Sequence, residues 1–138
     1  MSVPVPQRGH GELEVNTKAR ALTVYTLQIT GNEKWFPQKQ QKYIEKLQDC
    51  AIEIQALCWE ANEIKVNGNM ERYKRRIDLQ DRAAEKCNRL TMLIETAQPL
   101  FHLKTNRMVY WIGMTVALRN LIRGWRDKDV TRLKPQSA

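Results

Sequence analysis

IEKLQDCAIEIQALCWEANEI, residues 44–64, decides how the chain is read. Ile44, Leu47, Ala51, Ile54, Cys58 and Ala61 recur at alternating steps of three and four. At 3.6 residues per turn those steps return to one side of a helix, so these residues make a continuous apolar seam. Tyr43, Cys50, Leu57 and Ile64 repeat every seven residues beside the seam and widen it. A face this wide suits a helix packed in a globular bundle better than one strand of a two-stranded coil. The spacing predicts a helix over 38–66, opened by Pro37. Asn67-Gly68-Asn69 is the turn that closes it, with Gly68 at positive φ and Asn69 capping the next helix.

The same period extends in both directions. A first helix is expected over 16–30, capped by Asn16 or Thr17, with Ala19, Leu22, Thr26 and Ile29 on one face and Gly31-Asn32 as its stop. Trp35-Phe36-Pro37 forms an apolar connection to the second. A third helix is expected over 70–102, with Tyr73, Ile77, Gln80, Ala84, Cys87, Thr91 and Ile94 as its seam and Pro99 kinking or ending its last turn. A fourth is expected over 106–127, capped by Thr105, with Trp111, Met114, Leu118, Leu121 and Trp125 inward. No alternation of β-branched residues competes as a strand signal. Helices joined this closely imply an all-α, antiparallel up-down four-helix bundle over residues 15–127. A flexible arm, 1–14, and a basic tail, 128–138, flank it.

A chain of 138 residues fits a single domain, and 42% hydrophobic content is enough for a modest core. The net charge of +8 favours phosphate backbones, anionic surfaces or acidic partners. Cys50, Cys58 and Cys87 make an odd number without a disulfide-framework spacing, which points to reduced thiols in a reducing compartment. The N-terminus lacks the apolar core of a secretory signal. The uncharged run MVYWIGMTVAL, 108–118, is too short to cross a bilayer, which takes about 20 apolar residues. A cytoplasmic protein without membrane contact is expected.

Catalytic patterns are missing from the sequence. All three cysteines fall on or beside apolar seams, where Cys behaves as a small hydrophobe. His102 is the only histidine outside the arm. There is no CxxC or HxxxH for zinc, no glycine-rich phosphate loop, and no HExxH or GxSxG. The acids lie along charged faces, so none is singled out as a general acid with a raised pKa. No enzyme activity, metal or cofactor is expected.

The charge itself is patterned. In ERYKRRIDLQDRAAEKCNRL, residues 71–90, Arg75, Arg82, Lys86 and Arg89 fall within about 60° of one another on a helix, with Arg72 just beyond. Such a stripe would track a phosphate backbone. Glu71–Arg75, Asp78–Arg82 and Glu85–Arg89 are also i,i+4 pairs with the acid first, the orientation that supports a helix. Arg72, Arg76 and Lys86 have no carboxylate three or four residues away, so they are expected to stand free. On the fourth helix Arg119, Arg123 and Arg126 share a face. Arg123 is expected to pair with Asp127 and Arg126 with Asp129. The candidate nucleic-acid surface is therefore Arg72, Arg75, Arg76, Arg82, Lys86, Arg89, Arg119, Arg123 and Arg126.

Two apolar features point to a covered surface. Tyr110 and Trp111 lie in the uncharged run 108–118, and a bundle helix normally keeps one polar face. Gly113 would permit close backbone approach. On the second helix Ile52, Ala56 and Trp59 form a stripe to one side of the seam. Ile52, Trp59, Tyr110 and Trp111 are expected in an oligomer or partner interface.

ITGNEKWFP at 29–37, LQDCAIEIQALCWEANEI at 47–64, LQDRAAEKCNRL at 79–90 and MVYWIGMTVALRNLIRGWR at 108–126 resemble a family of bacterial and phage four-helix bundles. The family includes the accessory variability determinant (Avd) proteins of diversity-generating retroelements and the ribosomal-RNA intervening-sequence proteins. The WFP connection and the RNLIRGW ending are closer to the Avd branch. The resemblance covers about residues 17–127. It implies a basic homo-oligomer, a pentameric ring, that binds a reverse transcriptase and its template RNA or cDNA and supports mutagenic cDNA synthesis without chemistry of its own. The alternative is a helical interaction scaffold with no direct nucleic-acid role.

Overall fold

Ile44, Leu47, Ala51, Ile54, Cys58 and Ala61, the seam of the second helix, are each 2% exposed or less and lie in the middle of the core. The computed structural model describes residues 10–133, with side chains from Glu14 onward. Four long helices run in order: α1 His10–Thr30, α2 Gln41–Glu63, α3 Met70–Phe101 and α4 Thr105–Leu133, with a short 3-10 turn at Gln38–Gln40 before α2. Each packs on its neighbour in sequence, and α4 closes the bundle against α1. The architecture is the expected all-α up-down bundle.

Chain reversals arise from local chemistry. The Asn69 side chain accepts the Arg72 backbone N–H at 3.0 Å, capping α3, and Gly68 sits at φ 77°, where a Cβ would be unfavourable. Pro99 is tolerated in the last turn of α3, and His102 in the left-handed region at φ 55° ends that helix. Phe36, in the apolar connection, is fully buried and closes one end of the core against Phe101, with ring centroids 4.5 Å apart.

Polar groups bridge the helices inside. The Thr23 hydroxyl reaches the carbonyls of Ala19 and, across on α2, Ala51 at 3.2 Å. Tyr43 donates to the Leu93 carbonyl on α3 at 2.6 Å. Such bonds satisfy buried donors only in one register of neighbouring helices.

Two helices outrun the sequence expectation. α1 begins at His10, so Asn16 and Thr17 lie within it rather than cap it. α4 begins at Thr105, and the Lys104 carbonyl accepts the N–H groups of Arg107 and Met108 at 3.0 and 3.1 Å. It continues through Leu133, past the expected end at 127, and Asp129, assigned from sequence to the basic tail, is buried in the bundle. The rest of that tail, 134–138, and residues 1–9 of the arm lie outside the described residues.

Candidate nucleic-acid and partner surfaces

The basic residues of α3 divide between surface and core. Arg72, Arg75 and Arg82 line a groove of about 570 Å³ between α3 and the end of α2, beside Trp59. Lys86 and Arg89 line a second groove of about 430 Å³ farther along the same two helices. Asp78–Arg82 forms as expected, at 3.9 Å between two exposed side chains, a geometry worth less than about 1 kcal/mol. Glu71 instead meets Lys74 at 3.8 Å. Arg75 and Arg89, expected to be paired, have no ion pair among the described residues. Lys86, expected to be free, bonds Glu53 of α2 at 2.5 Å. Arg72 donates to the Lys65 carbonyl at 3.0 Å. Acids line both grooves as well, Glu60 and Glu63 in the first and Asp49 and Glu53 in the second.

Arg76 requires a correction. It is 6% exposed, and its guanidinium grips the fully buried Asp129 of α4 with Nε to Oδ2 at 2.8 Å and Nη2 to Oδ1 at 2.6 Å. Gln80 adds a third bond to the same carboxylate at 2.8 Å. The Arg76 guanidinium also lies 5.8 Å from the Trp125 ring and 5.7 Å from the Tyr73 ring. Its partner is 53 residues away, out of reach of any search within one helix. Arg76 is thus a clamp between α3 and α4 rather than a surface cation.

The α4 arginines lie along the edge facing α3. Arg119 donates to Asn88 at 2.9 Å. Arg126 pairs with Asp81 of α3 at 2.9 Å and Asp127 at 3.4 Å, not with Asp129 as expected. Arg123 is exposed and has no ion pair among the described residues, so its expected pairing with Asp127 is not made. The α3 row borders α2 and the α4 row borders the other side of α3. The two rows flank α3 rather than merge into one patch.

The expected interface residues also divide. Ile52 and Trp59 are 45% and 58% exposed and, with Ala56, line a groove of about 370 Å³ against Asn16 and Arg20 of α1. Tyr110 is 59% exposed and meets Tyr25 edge-on at 5.2 Å. Trp111 is corrected: it is fully buried within its own chain, and its indole N–H donates to Thr26 Oγ1 at 3.1 Å. The uncharged run is covered on that side by α1 and Phe36 rather than by a second chain. Beyond its own helix, Gly113 has no atom of the described residues within 4 Å of where a Cβ would stand, so none of the other described helices approaches it closely.

Cys50, Cys58 and Cys87 are free and buried. Burial pushes the Cys50 thiol up to about 11, the Cys58 thiol up to about 12 and the Cys87 thiol higher still. A nucleophilic thiolate is disfavoured at all three. Among the described residues no group of His, Cys, Asp and Glu could hold a metal ion, and no helix is long and apolar enough to cross a membrane.

No family profile, no curated protein and no solved structure matches the chain. Fold and surfaces together define an all-α four-helix bundle with two arginine-lined grooves between α2 and α3 and an arginine row on α4 beside α3.

Proposed function

We propose that the chain is a non-catalytic accessory protein of a diversity-generating retroelement, binding reverse transcriptase and template RNA or its cDNA through the arginines that flank α3. The observation that carries this reading is the exposure of Arg75, Arg89 and Arg123 without a carboxylate partner among the described residues. Unpaired guanidiniums are the groups that release counterions when phosphates replace them. The retroelement assignment is supported by the resemblance of residues 17–127. Holding template and enzyme on one small bundle raises the effective concentration of each for the other. Neutralising Arg75, Arg89 and Arg123 together to Gln is expected to flatten the salt dependence of single-stranded RNA binding by about 2 in log–log slope, near 0.7 per lost phosphate contact. An unchanged slope removes these residues from the interface. Arg76 is unsuitable for this test, since its loss strands Asp129.

The exposed groove of Ile52, Ala56 and Trp59 favours a second reading, an oligomeric or partner-binding scaffold. Light scattering at micromolar concentration is expected to give a multiple of the 16.2 kDa chain mass. Ile52→Glu with Trp59→Glu should reduce it to the monomer. A monomeric wild type contradicts self-association through this face.

A further inference from the structure

An up-down bundle brings its first and third connections to the same end. Here those connections are the 31–40 segment and residues 102–104, and both are basic. They enclose a cavity of about 470 Å³ lined by Lys34, Lys39, Lys104 and Arg107, with Trp35 and Leu100 as apolar wall. None of the lining side chains is acidic. Lys34, Lys39, Lys104 and Arg107 form no ion pair among the described residues. The nearby Glu33 carboxylate accepts from Gln38 at 3.4 Å. The Arg107 guanidinium carbon stands 3.7 Å from the centre of the Trp35 ring. Arg107 also hydrogen-bonds the Tyr25 hydroxyl, and a guanidinium stacked in this way keeps its remaining in-plane N–H groups for an anion.

Cations without counter-charge beside an indole and an aliphatic wall match a phosphate carrying a flat base with apolar faces. The volume is within the range of small-ligand sites, about 300–1,000 Å³. We propose that this end cavity holds one nucleotide of a single-stranded nucleic acid, with its phosphate on Lys39, Lys104 and Arg107 and its base against Leu100 and the Trp35–Arg107 stack. The inference rests on the nucleic-acid reading above for the polymer, but it places a contact at the opposite end of α3 from the groove of Arg72, Arg75 and Arg82. Single-strand binders combine cationic tracks with stacking platforms in this manner.

The test is equilibrium binding of a short labelled oligouridine to the full chain at low salt, with an abasic oligomer of equal length beside it. Lys39→Gln with Lys104→Gln is expected to weaken oligouridine binding about tenfold, and Trp35→Leu to weaken it severalfold while leaving the abasic oligomer nearly unaffected. Circular dichroism checks that each variant keeps its helices. Wild-type-like affinity in the folded lysine variant, with weakening in the Arg75/Arg89/Arg123 variant, overturns the end site and leaves the α3 reading standing. Equal loss of both oligomers on Trp35→Leu overturns the base contact. No binding by the wild type overturns both readings.

Discussion

Asp129→Ala is expected to destabilise the bundle by about 3–5 kcal/mol, the usual consequence of removing one partner of a buried ion pair. The carboxylate is fully buried and accepts two bonds from Arg76, one from Gln80 and a longer one, at 3.5 Å, from Arg132. Without it the guanidinium remains in the core with no counter-charge. The loss should lower the melting temperature by roughly 10–20 °C for a chain of this length. Thermal unfolding tracked by circular dichroism measures it. The pair as a whole is worth far less than its breakage costs, because desolvating both charges offsets most of their attraction. Arg76→Met combined with Asp129→Leu should therefore recover part of the loss, the buried Gln80 amide being left without its acceptor. A small effect of Asp129→Ala, below about 1 kcal/mol, would place residue 129 in a frayed, solvated end.

Trp111→Ala is the second large effect, about 3–5 kcal/mol from lost packing and the cavity left behind. The indole is enclosed by its own chain, with Phe36 at 6.2 Å and Tyr25 at 6.2 Å between ring centroids. Its N–H bond to Thr26 ties α4 to α1. Trp111→Phe keeps most of the volume and should lose only about 1–2 kcal/mol. Denaturant unfolding at two protein concentrations distinguishes core from interface. A core Trp111 gives a loss independent of concentration, whereas an interface Trp111 would change association and leave the monomer's stability intact.

The helices are legible in the sequence because their seams are regular. Residues 44–61 repeat at threes and fours without interruption, and Asn67-Gly68-Asn69 carries its own turn and cap chemistry. The division between surface and core arginines is not legible. Arg76 and Arg75 are adjacent, both basic and both in a helix, and only the position of Asp129 separates their roles. Spacing misjudges Lys86 for the same reason, since Glu53 lies on another helix. Local spacing detects partners within one helix, while a bundle supplies partners from three. Trp111 has two readings in the sequence, seam and interface, and the burial of its indole against Thr26 settles it as seam. The end cavity has a usable signal that helix phasing does not detect. KWFPQK at 34–39 and LKTNR at 103–107 place basic residues in alternate connections, which an up-down topology must bring to one end.

On the proposed function, exposed, unpaired arginines bind a phosphate backbone. The most direct test is titration of labelled single-stranded RNA with the wild-type chain over a range of salt concentrations. Binding is expected at low salt, with log K falling linearly in log salt at a slope of about −2 or steeper. No binding at low salt, or affinity indifferent to salt, would contradict it.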